Sequence, residues 1–92
     1  MLNLAHPREV PVADIENALR EAARQRRRVL IQFGADAQNS DYEREMEPYA
    51  IQNGELYAYS YFRHEFRTVP LASIRGVEVT PRSFEARRPI EL

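Results

Sequence analysis

The chain has no cysteine among its 92 residues and only three glycines, and all 13 of its basic residues are arginine, with no lysine. Without cysteine there is neither a disulfide framework nor a thiolate metal site or cysteine nucleophile, and redox compartment is left open. Three glycines and no phosphate-cradling loop, nucleophile elbow or paired-histidine motif argue against catalysis. No run approaches the ~18 apolar residues of a membrane span, and MLNLAHPREV lacks a basic start followed by a long apolar stretch, so a cytoplasmic protein without membrane contact is the default expectation. No cofactor is implied.

What is present suits one small domain: 43% hydrophobic and 29% charged residues, with 14 acidic against 13 basic and a formal net charge of −1. Bulk charge does not draw such a chain to nucleic acid. Arginine, however, presents a planar fork suited to bidentate phosphate contacts, so local arginine clusters can bind anions on a near-neutral protein. A coding preference for Arg over Lys is the competing explanation.

Residues 1–11 read as an extended lead-in broken by Pro7 and Pro11. A helix starts near Val12 to Asp14, with Asp14 as N-cap, and Ile15, Ala18, Leu19 and Ala22 form one narrow apolar stripe. Arg24, Arg26, Arg27 and Arg28 crowd its end, either complementing the helix dipole or forming a basic lip beside a site. From Val29 the period becomes two, with Val29, Ile31 and Phe33 on one face of a strand. After a polar loop from Gly34 to Asp41 comes a strand from Tyr42 to Ile51, carrying Glu43, Glu45 and Glu47 on one face, read as solvated. Pro48 marks an edge or a bulge there. Asn53-Gly54 signals a tight hairpin into Leu56–Tyr61. A turn around Phe62 to His64, a strand from Phe66 to Val69, a short turn in "PLAS" and a last strand from Ile74 to Thr80 complete the order. Residues 81–92 read as an irregular tail, pinned by Phe84 or Ile90. The expected fold is mainly β with one N-terminal helix, a small five-stranded antiparallel SH3-like or Sm-like barrel.

The stretch "YAYSYFRHEFRTVP" carries the functional question. Alternation puts Tyr57, Tyr59 and Tyr61 on one face and Leu56, Ala58 and Ser60 on the other. Either the rings bury against the sheet, or small Ala58 and Ser60 fit inside and the tyrosines face outward; the alternation alone serves both. Rings that stack bases beside Arg63 and Arg67 that hold phosphates make a known recipe for single strands. Ion pairing of those arginines with neighbouring glutamates is the competing role. His64 reads as a turn residue, with no second histidine or carboxylate at metal-ligand spacing.

Three stretches taken in order, "ALREAARQRRRVLIQF" (18–33), "EPYAIQNGELYAYS" (47–60) and "HEFRTVPLASIRGVEV" (64–79), resemble the WYL domain, an Sm-like barrel of bacterial transcription regulators and defence proteins. The resemblance covers residues 12–80 and rests on Pro48, then Leu56, Ala58 and Tyr59, then Phe66, Arg67 and Ile74. Where the family's Trp-Tyr-Leu triplet belongs, this chain has Gly54-Glu55-Leu56, and the Phe66 to Ile74 spacing is a few residues long. The resemblance implies a non-catalytic sensor that binds single-stranded nucleic acid or a nucleotide, through Arg67 first and its neighbours Arg63 and His64, and signals to a DNA-binding regulator partner; the stacking recipe adds Tyr57 and Tyr59, and the basic lip adds Arg28, to the expected site. Eleven residues before the helix leave no room for a winged helix-turn-helix, so a free-standing module is expected. The alternative is a protein-interaction module, including a homodimer formed by exchanging the tail.

Overall fold

A computed structural model describes residues 12–34 and 42–92. The expected lead-in (1–11) and the loop residues 35–41 lie outside the described residues. Helix α1 (Val12–Arg24) is followed by β1 (Arg27–Phe33), β2 (Tyr42–Gln52), β3 (Glu55–Ser60), β4 (Glu65–Pro70), a single 3₁₀ turn (Leu71–Ser73) and β5 (Ile74–Ser83). All sheet pairings are antiparallel, in the order β4-β3-β2-β1-β5. The sheet is therefore mainly β with one helix, as the periodicity predicts. It stays open between β4 and β5, so "barrel" describes its bend and not closure.

The helix begins at Val12, which puts Asp14 inside the first turn and not at the cap. There its carboxylate still complements the positive helix end. Ile15, Leu19, Ala22 and Ala23 are buried, and the first three join Val29, Ile31, Phe33, Met46, Leu56, Ala58, Val69, Leu71 and Ile74 in one core. The four arginines at the helix end do four different things. Arg24 pairs with Glu21, and Arg26 adopts φ 55° and donates Nη1 to the Ala23 carbonyl at 3.1 Å. Arg27 Nε donates to Gln25 Oε1, and Arg28 turns outward to the site described below.

β2 changes partners along its length. Its first half, through Met46, pairs with β1, and its second half, from Met46 on, pairs with β3. Pro48 sits at the register shift between Pro48 and Ala50, past the last β1 pair. No β1 carbonyl waits there for the amide hydrogen that proline lacks. The prediction of an edge or bulge resolves as a bulge, which lets the strand bend and leaves Tyr49 as its extra residue. Asn53 (φ 54°) and Gly54 (φ 75°) both take positive φ, the signature of a two-residue type I′ hairpin. The Ser73 hydroxyl donates to the Pro70 carbonyl at 2.7 Å and closes the turn into β5. At the first irregularity of the β1–β5 pairing the buried Thr80 hydroxyl donates to the Arg28 carbonyl at 2.8 Å.

The β3 alternation resolves in one direction. Leu56, Ala58 and Ser60 are buried on the inner face of the sheet, and Tyr57, Tyr59 and Tyr61 are half-buried on the opposite, outer face. Leu56 and Ala58 join the core there, and the buried Ser60 hydroxyl accepts a hydrogen bond from the Arg63 amide at 3.1 Å. The tail is irregular but not loose. The Phe84 amide donates to the Arg26 carbonyl at 2.9 Å, the Phe84 ring is buried, and the Glu91 amide donates to the Tyr49 carbonyl at 2.7 Å. Glu91 thereby forms a parallel bridge with Ala50, along the stretch of β2 that β1 has left.

Candidate functional site

The sheet presents two chemically distinct surfaces, and the residues expected to act together divide between them. On the outer face, five rings from three strands and the turn after β3 interlock. Tyr57 stacks on Phe66 of β4 at 5.1 Å and 8°, Tyr59 meets Phe66 edge-on at 5.3 Å, and Tyr49 meets Phe66 at 5.3 Å. Tyr59 and Tyr61 lie edge to face at 5.6 Å. Such pairs contribute about 0.5–1.5 kcal/mol each beyond area burial. Phe84 from the tail approaches Tyr49 at 5.9 Å.

Beneath these rings lies Glu47, 1% exposed. This corrects the expectation of a solvated glutamate face at its third member. The Glu47 carboxylate accepts hydrogen bonds from the Tyr49 hydroxyl (2.6 Å), the Tyr61 hydroxyl and Arg87 Nε (3.0 Å). The Arg87 guanidinium lies 3.7 Å from the Tyr59 ring centre, and its backbone amide donates to the Tyr49 hydroxyl at 2.9 Å. Arg88 lies 5.4 Å over Tyr57. Burial, joined by the neighbouring Glu47 carboxylate, pushes the Tyr49 and Tyr61 hydroxyls up to about 12 from an ordinary 10.0. The hydrogen bond that Arg87 donates to Glu47 holds the guanidinium above its ordinary value.

Arg28 belongs to this face. Its Nε donates to the Ser83 carbonyl at 3.0 Å, Nη1 reaches Glu45 at 3.3 Å, and the guanidinium lies 4.6 Å over Tyr61. Arg82 also reaches Glu45, at 2.8 Å. Burial raises the Glu45 carboxyl, but the hydrogen bonds from Arg82 and Arg28 outweigh it and hold the group below the usual carboxylate range.

Arg67 pairs in register with Ala58, so it points to the inner side of β4, away from the tyrosines. At that mouth Arg44, Arg63 and Arg67 line a cleft of about 390 Å³ with Phe33, Met46 and Phe62. Phe62 is 61% exposed, with the Arg44 guanidinium 3.9 Å and the Arg63 guanidinium 6.0 Å from its ring centre. Arg67 makes an exposed ion pair with Glu65 at 2.9 Å. His64, exposed at φ 59°, forms the adjoining turn, its amide bonded to the Ser60 carbonyl at 2.7 Å. The structure thus brings Arg63 and Arg67 to one cleft, with His64 in the adjoining turn, and brings Tyr57, Tyr59 and Arg28 to the other face. Arg44 and Phe62 join the first group and Glu47, Tyr49, Phe66, Arg87 and Arg88 the second. The sequence signal for the second group was the Arg87-Arg88 pair three residues beyond an aromatic in an otherwise irregular tail.

A helix packed on a bent, open five-stranded antiparallel sheet, with charged and aromatic groups on its surfaces and a cleft at one side, is the mainly β class of small one-helix domains. The chain belongs to the WYL-domain family, whose profile matches residues 14–79. In structure it is similar to proteasome accessory factor B/C (PafBC) of Arthrobacter aurescens, with a TM-score of 0.67 at 20% identity over 78% of this chain. This chain spans 12% of that protein's length. No curated protein matches the sequence. Among the described residues no helix is long and apolar enough to cross a membrane.

Proposed function

We propose that this WYL domain is a non-catalytic ligand-binding module that takes a single-stranded nucleic acid or nucleotide in the inner cleft and relays its occupancy to a regulator of transcription or defence. The observation that supports this most is that Arg44, Arg63 and Arg67 line one open cleft together with the exposed Phe62. Guanidinium forks suit phosphate oxygens, and an exposed ring offers a base a stacking surface at about 1–3 kcal/mol. The Arg67–Glu65 pair is exposed on both sides and exchanges for a phosphate at little cost, since such pairs contribute about 0–1 kcal/mol. The expected tyrosine platform has no part in this reading, because Tyr57 and Tyr59 lie on the face that the tail covers.

Fluorescence anisotropy of labelled single-stranded DNA and RNA at low and near-physiological salt tests it. Binding is expected to fall steeply with salt, with a logarithmic slope of about −0.7 per neutralised phosphate. Arg67→Ala and Arg63→Ala are each expected to weaken it about tenfold while moving the Tm by no more than a few degrees. Absence of binding at tens of micromolar, or binding indifferent to salt, would refute the proposal. Loss of folding in Arg67→Ala would assign that residue to structure.

A further inference from the structure

The outer face carries a ready-made recognition chemistry that the nucleic-acid reading does not use. Its charged groups are Glu43, Glu45 and Glu47 from β2 against Arg28 and Arg82, with Glu45 shared by both arginines and Glu43 hydrogen-bonded to Gln32 at 2.9 Å. Among the described residues, the cation paired with Glu47 is Arg87. With the 84–91 segment lifted away, this face is acidic and aromatic, a surface that repels phosphate and attracts a guanidinium.

The segment sits as a bound peptide does. Phe84 is buried against Tyr49, Arg87 reaches Glu47 and stacks on Tyr59, and Glu91 bridges Ala50 along the stretch of β2 that β1 has left. Between these anchors Glu85, Ala86, Arg88 and Pro89 are exposed. The side-chain asymmetry of the central pair is large: Glu47 is 1% exposed and Arg87 43%. The carboxylate is thus a built part of the domain, and the guanidinium is what arrives at it from outside.

We propose that the outer face of β2, β3 and β4 is a peptide-binding site for an extended segment carrying an aromatic residue and, three positions later, an arginine, and that residues 84–91 are its resident occupant. A segment of the same chemistry from a partner protein competes for the site. Arginine is required, because its guanidinium can stack flat on Tyr59 while Nε donates to Glu47; a lysine ammonium has no such plane. The tether gives the resident segment an effective concentration on the order of millimolar, so an external peptide binds well only when the resident arginine is gone.

The test uses the full chain with Arg87→Ala, and a fluorescently labelled peptide of sequence Phe84–Leu92. The peptide is expected to bind Arg87→Ala at least tenfold more tightly than wild type. A peptide carrying lysine at the position of Arg87 is expected to bind that variant at least tenfold more weakly than the arginine peptide. Arg87→Gln, which keeps a donor for Glu47, is the second variant and is expected to behave likewise. Equal or undetectable binding to wild type and to a folded variant overturns the proposal, as does indifference to arginine against lysine. If neither variant folds, the segment is part of the core and no exchangeable occupant, and the proposal fails. A wild-type mass doubling in sedimentation that is lost in Arg87→Ala would make a second copy the occupant and also overturn it. Because this surface lies on the opposite face from the Arg63–Arg67 cleft, the nucleic-acid result is read separately.

Discussion

Glu47 and Arg87 form a pair whose two halves differ in burial, and this asymmetry predicts a change of sign in a double-mutant cycle. Arg87→Ala removes a charge-assisted hydrogen bond, ordinarily about 1.5–3 kcal/mol, here at the lower end because Arg87 is 43% exposed. It also removes the stack on Tyr59, about 0.5–1 kcal/mol at such a site. The expected loss is about 2–3 kcal/mol, or roughly 10–20 °C in Tm for a domain of this size. Glu47→Gln in the wild-type background keeps the shape but offers an amide where three donors point at a carboxylate, and about 1–2 kcal/mol is expected to be lost. In the Arg87→Ala background the same change removes a buried charge that has lost its cation, so it is expected to be neutral or stabilising. Urea denaturation of the four proteins gives the coupling directly, expected at about 1–2 kcal/mol. Additivity within about 0.5 kcal/mol would refute the reasoning, because it would mean that Glu47 does not depend on Arg87 for compensation.

Two further predictions follow from the same face and from the core beneath it. Tyr49 and Tyr61, pushed up to about 12, are stabilised as neutral phenols in the folded state; their contribution is fully present below pH 10 and is lost as pH rises from there through about 12, because the unfolded chain releases those protons first. Alkaline absorbance titration is expected to show a late-ionising component that Tyr49→Phe and Tyr61→Phe each diminish, and a titration curve whose late part neither substitution changes would contradict it. Leu56→Ala, at 0% exposure, is expected to cost about 2–5 kcal/mol, against about 1–2 kcal/mol for Tyr57→Ala, whose ring is half-buried on Phe66; the opposite order in denaturation midpoints would reverse the assignment of faces.

Local backbone preference and side-chain period are properties of neighbouring residues, and these were legible in the sequence. The switch to period two at Val29, the positive φ demanded by Asn53-Gly54, the bulge at Pro48 and the short turn before Ile74 all appear where the residues predict them. The ordered fragments around Pro48, Leu56, Ala58, Tyr59, Phe66 and Arg67 also carried the family. Which side of β3 is interior was not legible, because alternation is unchanged when the two faces are exchanged. Long-range packing decided it: Leu56 and Ala58 join Ile15, Leu19, Val29 and Ile31 in one core, and Tyr57 and Tyr59 on the other side meet Phe66 of β4. The grouping of site residues failed for a related reason: Arg67 follows the tyrosines closely in sequence, but the β4 register turns it to the other side of the sheet. Glu47 looked like a third surface glutamate because its partner lies 40 residues away, and only the path of the tail from Phe84 to Glu91 brings a guanidinium to it. Sequence spacing specifies which side of a strand a residue takes; what covers that side is set by long-range packing.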